Sequence, residues 1–343
     1  MEHDSAGHSG KRSNIQEIAL KCGIHPSTVS SVLTGKTKQR RISAQLAEQV
    51  LRTAAELDYS PNLLMHSIRS GRTNNVAFYN GLREHRRSDV YIDTLKVAIE
   101  RSAGTLGYDV TVSCDFNRSV PDTYKNLNGG RSDGLVLFKP HLEDPLLDLL
   151  RKSRMPVLLI NTVDDKEILS SISEDIVMGV RLVADSLIRC GHRRVAIVAA
   201  SHYVVDSIVR VNLLRNFMAE YGVTIPDEWV IHNDERSIAS LLNGPGPPTA
   251  VFCWHDQLAY AVLDTCETLG IDVPTQLSVI GYDGLKWPSK SDKYLTTIEV
   301  DLDELGETAV KTLDAMISGN VELPVVRRLP VKFVPGATLS TIN

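Results

Sequence analysis

The sequence lacks the features that direct a chain into or across a membrane. No apolar run in its 343 residues approaches the roughly 18 that a membrane-spanning helix needs. The opening MEHDSAGHSGKR has no apolar centre of the kind found in secretory signal peptides. The sequence therefore predicts a cytoplasmic protein without a membrane partner.

Paired cysteines and catalytic fingerprints are missing too. The five cysteines are an odd number, widely spaced and without a CxxC pair, so we expect neither a disulfide framework nor a structural zinc. The motifs GxSxG, HExxH and GxGxxG do not occur. Gly35-Lys36-Thr37 resembles the end of a phosphate-binding loop, but Ser30 stands where that loop needs its first glycine. We therefore expect no metal, no cofactor and no catalytic residue.

Charge is divided unevenly along the chain. Residues 1–75 carry ten Lys and Arg against six Asp and Glu, whereas the remainder carries 27 against 36. A head of net charge +4 on a body of −9 indicates that the head is the part that meets a polyanion. A solvated basic helix surface would give the same count, so charge by itself leaves both interpretations open.

Three short helices are predicted within residues 13–58. Apolar residues recur at helical spacing in stretches that begin near Asn14, Pro26 and Ser43, and each of these residues suits a helix start. Gly23 tolerates the left-handed conformation that ends the first helix. The tight glycine turn is typical of a helix-turn-helix unit, although an ordinary three-helix bundle has the same periodicity.

The second predicted helix, within HPSTVSSVLTGK, has an apolar inner face and an outer face of small hydroxyl side chains. In a helix-turn-helix unit this helix enters the major groove of DNA. Small polar side chains near its start let the backbone approach the base edges. If the three helices form a helix-turn-helix unit and not an ordinary three-helix bundle with a polar face, this helix is the one that reads DNA.

A short basic segment, SPNLLMHSIRSGRTNN, follows the third helix. Pro61 prevents the third helix from continuing, and Asn62 can begin a new one. Leu64 and Ile68 are four residues apart, with arginines beside them. Such a helix suits the minor groove, because an apolar wedge unstacks bases while arginines neutralise phosphate. A linker helix packed on the body would have the same pattern.

From residue 76 onward, apolar runs alternate with amphipathic stretches. Runs such as DGLVLF, PVLLIN and RRVAIVAA are apolar throughout, which indicates strands of parallel sheets buried on both faces. Two such sets of elements predict two doubly wound lobes. The expected fold class is thus an all-α head followed by an α/β body of two parallel-sheet lobes.

Polar residues follow several predicted strands. Ligands of open α/β sheets bind beyond the carboxyl ends of the strands, and Asn161, His255 and Asp283 stand at or just beyond such ends. Amide and charged groups there can exchange hydrogen bonds with sugar hydroxyls. Because a strand-end Asp often caps the next helix and an Asn often completes a turn, the residues by themselves leave both roles open.

Several motifs, in a consistent order, resemble the LacI/GalR family of bacterial transcription regulators. The resemblance to the family's head and hinge lies in NIQEIALKCGIHPSTVSSVLTGK, AAELDYSPN and SIRSGRTNNVAF. The resemblance to its body lies in SEDIVMGVRLVADSLIRCGHRRVAIVA, TAVFCWHDQLAYAVL, LSVIGYDG and YLTTIEVD. This resemblance spans nearly the whole chain. It implies the hinged architecture of periplasmic sugar-binding proteins for the body.

The resemblance also implies DNA-binding roles for individual residues. The residues expected in the major groove are His25, Pro26, Ser27, Thr28 and Ser31; at DNA phosphate, Asn14, Ser30 and Lys36; and in the minor groove, Asn62, Met65, His66, Ile68 and Arg69. The family usually has arginine where this chain has Ser31, and leucine where it has Ile68. Because serine cannot make arginine's bidentate contact to guanine, we expect an altered operator sequence.

Effector-binding residues are expected from strand ends, from the resemblance and, for Asp89 and Tyr91, from their position near the start of the first helix of the body. Arg210 and Asp283 match the arginine and aspartate that contact ligand in the family. The expected set is Asp283, Arg210, His255, Asn161, Asp89 and Tyr91. His255 stands where the family usually has asparagine, which indicates an unusual effector, and we expect a sugar or sugar derivative.

These observations predict five segments along the chain. They are a disordered tail (1–12), a helix-turn-helix domain (13–58), a hinge helix and linker (59–74), a first lobe (75–161 and 292–319) and a second lobe (162–291 and 320–343). The expected function is a cytoplasmic, nucleoid-associated transcription regulator. As a homodimer, it would bind operator half-sites one helical turn apart under the control of an effector.

Two other functions fit parts of the sequence less well. A solute-binding protein would need a signal peptide and no DNA-binding head. An enzyme would need a nucleophile or a cofactor fingerprint beside Asp283 and His255, and the sequence supplies neither.

Overall fold

The computed structural model describes residues 13–61, 67–68, 70–82, 89–114, 116–200, 205–232 and 235–342. The chain divides into two compact units, Met1–Thr73 and Asn74–Asn343. The expected disordered tail, residues 1–12, lies outside the described residues. Within the described ranges, no helix is long and apolar enough to cross a membrane.

Within residues 13–61, the first unit has three helices around one small core. They are α1 (Ile15–Cys22), α2 (Pro26–Leu33) and α3 (Ala44–Glu56). Ile18, Val29 and Val50, one from each helix, are fully buried against one another. Because so small a core contributes little stability by itself, the helix ends matter here. The Asn14 side chain accepts the Glu17 N–H at 3.0 Å, and Gly23 ends α1 with a φ of 68°.

The second unit alternates strands and helices. Its strands are β1 (Asn75–Asn80), β2 (Asp109–Ser113), β3 (Gly134–Phe138), β4 (Val157–Ile160), β5 (Ser170–Glu174), β6 (Val195–Ala199), β7 (Val230–His232), β8 (Ala250–Cys253), β9 (Ser278–Ile280), β10 (Thr297–Glu299), β11 (Val326–Leu329) and β12 (Lys332–Val334). Its helices are α4 (Val90–Thr105), α5 (Val120–Leu127), α6 (Pro145–Leu150), α7 (Ile176–Arg189), α8 (Val205–Glu220), α9 (Glu235–Asn243), α10 (Asp256–Leu269) and α11 (Leu302–Ile317).

Ten of these strands form two parallel sheets, one for each lobe. The first sheet has the order β11-β5-β4-β3-β1-β2, and the second has the order β7-β6-β8-β9. The antiparallel pair β10 and β12 continues the second sheet beyond β9, since the Asp283 N–H donates to the Ile298 carbonyl at 2.8 Å. The predicted fold class, a helical head followed by an α/β body of parallel sheets, is confirmed.

The lobe boundaries differ from those expected from the sequence. The first lobe was expected to end at residue 161, yet β5 and β11 both belong to the first sheet. Conversely, β10 lies in the second lobe. The stretch SSISE in β5 is polar, whereas strands buried on both faces are normally apolar, so its pattern gave no strand signal. Its burial is possible because hydroxyls such as Ser170 Oγ, which accepts the Val325 N–H at 3.0 Å, find partners.

Candidate functional site

Helix α2 in the head is oriented by its own ends. The His25 ring caps it, with Nδ1 accepting the Ser27 N–H at 3.2 Å, and Pro26 occupies the first turn, where a missing N–H costs nothing. Val29 and Val32 are buried against the other two helices. Because this apolar face points inward, the polar face of α2 is left for a partner.

The residues expected in the major groove lie on or beside that polar face. His25 and Ser27 are exposed, while Pro26, Thr28 and Ser31 are half-buried. The Ser31 hydroxyl donates to the Ser27 carbonyl at 2.8 Å, so its lone pairs remain available to accept from a base amino group. Because the His25 Nδ1 accepts a backbone N–H, a neutral ring carries its proton on Nε2 and can donate to a base.

The residues expected at phosphate have different settings. Asn14 is exposed, but its side chain is held by the α1 capping box. Ser30 is half-buried, and its carbonyl accepts the Thr34 hydroxyl at 2.7 Å. Lys36 is exposed and begins a run of exposed cations that continues with Lys38, Arg40 and Arg41. Such a run suits phosphate, whose charge dominates affinity for DNA.

Of the residues expected in the minor groove, Ile68 is the one that the structure describes. It is helical together with Ser67, and its side chain is 76% exposed. A large aliphatic side chain so exposed suits insertion between bases. Asn62, Met65, His66 and Arg69 lie outside the described residues.

In the body, three polar residues directly follow strands or lie close beyond them, in left-handed backbone conformations. Lys139 follows β3 with a φ of 41°, Asn161 follows β4 with a φ of 56°, and Asp283 lies beyond β9 with a φ of 115°. Non-glycine residues seldom hold such angles, and where they do, the site is often functional. All three lie where the two lobes meet, as their contacts show.

Arg210, on α8 of the second lobe, is the centre of one group of contacts. Its guanidinium donates to Glu174 Oε1 at 3.0 Å and to the Trp254 carbonyl, and it lies 3.6 Å from Asp283 Oδ1. The carbon of the guanidinium lies 3.6 Å from the ring centroid of Tyr282. Arg210 and Glu174 are each about 1% exposed as side chains, so this pair joins the two lobes at a buried position, where attraction between charges is stronger than at the surface.

Lys139 is the centre of a second group. Its Nζ lies 2.6 Å from Asp206 Oδ2, on α8, and lies over the rings of Tyr91 and Trp254. Tyr91 in turn accepts a hydrogen bond from the side-chain amide of Asn161. The two groups share Trp254, so residues of the first lobe meet residues of the second lobe in one cluster. We call it the cleft cluster; its members are Tyr91, Lys139, Asn161, Glu174, Asp206, Arg210, Trp254, Tyr282 and Asp283.

Several polar atoms of the cleft cluster have no hydrogen-bond partner among the described residues, although all are buried. They are Asn161 Oδ1, Glu174 Oε2, Arg210 Nε, Trp254 Nε1 and the Tyr282 hydroxyl. Buried polar atoms are nearly always hydrogen-bonded in proteins, so a group of them without protein partners is typical of a binding site. Together these atoms present both donors and acceptors to a ligand.

The electrostatics of the cleft cluster are unusual. Burial raises the pKa of Asp283 to about 7, although Arg210 and Lys139 act against this rise. Burial, with Glu174 and Asp283 nearby, also raises the pKa of Tyr91 well above its ordinary value, so its hydroxyl stays protonated. Perturbed pKa values in a cleft are typical of functional sites.

The structure thus brings four of the six expected effector residues together, namely Asp283, Arg210, Asn161 and Tyr91. The other two cap helices. Asp89 accepts the Ile92 N–H at 3.1 Å at the start of α4, and His255 accepts the Leu258 N–H at 3.1 Å at the start of α10. His255 nevertheless borders the cleft cluster, because its ring centroid lies 4.4 Å from that of Trp254.

Sequence reasoning missed five members of the cleft cluster. They are Lys139, Glu174, Asp206, Trp254 and Tyr282. Lys139 was detectable, because it follows the apolar run GLVLF just as Asn161 follows PVLLI. Asp206 was detectable as the residue one helical turn before Arg210. Glu174 lacked a signal, since the strand that ends with it is polar.

Two family models match the chain. The model for bacterial regulatory proteins of the lacI family matches residues 14–62, and the model for a periplasmic binding protein-like domain matches residues 184–339. The first match covers the helical head and the second covers most of the second lobe together with α11, β11 and β12. The models therefore agree with the two units of the structure.

Known proteins of similar sequence and structure agree with these matches. The chain is 26% identical to the HTH-type transcriptional repressor PurR of Photobacterium profundum, over 87% of this chain and 90% of the relative. It is 26% identical to PurR of Escherichia coli O139:H28, over 90% and 92%. The lac repressor dimer bound to operator and the anti-inducer ONPF superposes with a TM-score of 0.84 at 24% identity, over 96% and 100%. The complex of the transcriptional regulator CelR with cellobiose gives 0.69 at 22%, over 95% and 100%.

The match of the head to the lacI family model and the similarity of the chain to PurR repressors indicate a DNA-binding transcription regulator. The head therefore carries the DNA-binding domain of the lacI family of bacterial regulatory proteins, and the chain as a whole is similar to LacI/GalR regulators, as its motifs predicted.

Proposed function

We propose that the protein is a homodimeric transcriptional repressor whose affinity for operator DNA is controlled by a small, polar, uncharged effector bound in the cleft of the body. The observation that carries the proposal is the cleft cluster, in which both lobes contribute buried polar atoms that lack partners among the described residues. A ligand that satisfies these atoms would bind one arrangement of the lobes better than another. This differential affinity is what allows an effector to control DNA binding.

The DNA-binding part of the proposal rests on the head. Helix α2 would lie in the major groove, with His25, Ser27 and Ser31 toward base edges and the cations from Lys36 onward toward phosphate. The exposed Ile68 would wedge a base step of the minor groove between two half-sites. The similar solved structures support this arrangement, because one of them is a dimer bound to operator.

The charges of the cleft cluster support an uncharged effector. Lys139 faces Asp206 and Arg210 faces Glu174, so each cation is already balanced by a carboxylate, and Asp283 adds negative charge as it ionises near its raised pKa of about 7. A phosphorylated or acidic ligand would therefore find no unbalanced cation in the cluster. A sugar supplies hydroxyls that both donate and accept, and the CelR structure contains cellobiose.

A nucleobase is the second candidate for the effector. The rings of Tyr91, Trp254 and Tyr282 belong to the cleft cluster. Aromatic rings favour stacking on a planar ligand. The unpartnered Asn161 Oδ1 and Trp254 Nε1 could then exchange hydrogen bonds with the edge of a base.

A thermal-shift screen tests the effector class. Sugars, the matching sugar phosphates and nucleobases would be added in excess to the full-length protein, since a ligand of the native state stabilises it by RT ln(1 + [L]/Kd) and so raises Tm. We expect an uncharged sugar to raise Tm and its phosphate to have no effect. A larger shift from the phosphate would contradict the proposal, and a shift from bases alone would favour the second candidate.

Selection from random duplexes tests the DNA-binding part. We expect the full-length protein to enrich a pseudo-palindrome, and the Ile68→Ala variant to bind it roughly tenfold more weakly, because the wedge is lost. Leu51→Ala is the matched control, since Leu51 is also an exposed aliphatic residue of the head, on α3. Equal affinity of Ile68→Ala and the unaltered protein would rule out the wedge.

A further inference from the structure

The ammonium group of Lys139 lies within a cage of aromatic rings. Its Nζ is 5.3 Å from the ring centroid of Tyr91, 5.6 Å from that of Phe138 and 5.7 Å from that of Trp254. Asp206 Oδ2 lies 2.6 Å from the same nitrogen. A cation within about 6 Å of several ring faces is attracted by each of them, and proteins recognise alkylammonium ligands with such cages. Here the chain fills the cage with its own side chain.

The cage is assembled from both lobes. Tyr91 on α4 and Phe138 at the end of β3 belong to the first lobe, whereas Asp206 on α8 and Trp254 after β8 belong to the second. The Lys139 and Asp206 side chains are only 11% and 10% exposed. Attraction between charges is stronger in such a setting than in water. The contacts of Lys139 therefore hold the lobes against each other.

Lys139 is held in this position in its charged form. Burial acts to lower the pKa of Lys139, but the carboxylates of Asp206 and Glu174 outweigh it, and the pKa is raised. The ammonium is thus present throughout the neutral pH range. The left-handed backbone of Lys139, with a φ of 41°, turns the chain where β3 ends at the cleft.

We propose that Lys139 is a built-in ligand of the cleft, whose ammonium bridges the two lobes in the absence of an effector and keeps cationic effectors out of the aromatic cage. The cage is then a binding site for a primary alkylammonium ion, which becomes available when the Lys139 side chain is shortened. The exclusion of cationic effectors rests on the proposed function of the cleft, whereas the bridge between the lobes does not. The bridge itself can be tested without DNA or effector.

Chemical rescue is the direct test. In Lys139→Ala, the buried Asp206 loses its cation, and we expect Tm to fall by about 5 °C or more. Methylammonium chloride should restore a large part of this loss, whereas sodium chloride at equal ionic strength should not. Lys166→Ala is the matched control, because Lys166 pairs with Asp148 at 2.7 Å within the first lobe, at a site where both side chains are about half exposed. Its Tm should change little and should not respond to methylammonium.

A second variant keeps the test decisive if Lys139→Ala does not fold. Lys139→Met combined with Asp206→Asn removes both charges and leaves no buried charge uncompensated. We expect it to fold and to show a larger radius of gyration in small-angle scattering than the unaltered protein, because the lobes separate. An unchanged radius in this variant would overturn the bridge between the lobes, and an absence of rescue by methylammonium in a folded Lys139→Ala would overturn the cage. Failure to bind operator or sugar would concern the proposed function and not the bridge.

Discussion

The head and the body hold their functional residues in different ways. In the head, the residues expected in the major groove follow one another along a single helix, and that helix is oriented by caps and by a few buried neighbours. In the body, the cleft cluster is collected from distant parts of the chain. Asn161 contacts Tyr91 across 70 residues, and Arg210 contacts Glu174 across 36.

This difference separates two kinds of physical control. The stability of a helix with capped ends depends on local propensity and on the small core of the head. If the helix unfolds, all of its residues expected at DNA are displaced together. The cleft cluster depends on buried charges that compensate one another across two lobes, so the removal of one charge affects all of its partners. Variants in the two regions should therefore differ in size of effect and in which activity they alter.

The largest expected effect comes from Arg210→Met. This change leaves Glu174 and Asp283 buried without the cation that faces both, so we expect the free energy of unfolding of the body to fall by about 3–5 kcal/mol. Urea denaturation followed by tryptophan fluorescence measures it, since Trp229, Trp254 and Trp287 all lie in the body.

The matched control for this variant is Arg101→Met. Arg101 pairs with Asp303 at 3.5 Å, with both side chains about two-thirds exposed, so its loss should cost no more than about 1 kcal/mol. Equal costs for the two variants would show that the cleft cluster is no more sensitive than the surface.

A smaller effect, confined to the other unit, is expected from Val29→Ala. Val29 is fully buried in the core of the head, and the loss of two methyl groups should destabilise this unit by about 2 kcal/mol. Operator affinity measured by fluorescence anisotropy should fall, while the urea transition of the body should stay unchanged. A shift in the body transition would contradict the separation of the two regions.

The third prediction concerns pH. The pKa of Asp283 is raised to about 7, so between about pH 4 and 7 the folded state retains a proton that the unfolded state has released. The stabilisation from this proton is complete below the unfolded pKa and is lost as pH rises through the folded pKa of about 7, with a slope of up to about 1.4 kcal/mol per unit.

Asp283→Asn should flatten this slope without abolishing it. Burial, followed by the charge of Asp283, also raises the pKa of Asp256, so Asp256 contributes with the same sign. Urea denaturation at about pH 5, 6, 7 and 8 compares the two proteins across the window in which the proton is lost. The same slope in both would mean that Asp283 titrates in its ordinary range.

The smallest expected effect comes from the cap of α1. Asn14→Ala removes the acceptor of the Glu17 N–H and should destabilise the head by about 1 kcal/mol. Asn14→Asp keeps this acceptor but places a negative charge where phosphate is expected, so it should retain stability and lose operator affinity. Circular dichroism and anisotropy together distinguish the two roles. Unchanged operator affinity in Asn14→Asp would exclude the phosphate contact.

The comparison also shows why the two regions were not equally predictable. The capping box at Asn14, the turn at Gly23 and the start of α2 at Pro26 are all visible in the sequence, because each depends on residues only a few positions away. In the body, Asn161 and Asp283 were found by their positions at strand ends, and His255 illustrates the limit of that rule, since it caps a helix.

The order of apolar runs and helix signals was sufficient to predict the helical head and the two doubly wound lobes, because these follow from periodicity and short-range chemistry, whereas the family was predicted from the resemblance of several motifs. Only the tertiary structure decided that the polar strand β5 lies in the first sheet, and that Glu174, at its end, meets Arg210. It also decided that Lys139 reaches Asp206 across the cleft. These pairs form between residues of two different lobes, so no pattern along the chain encodes them. Burial then strengthens the attraction between their charges.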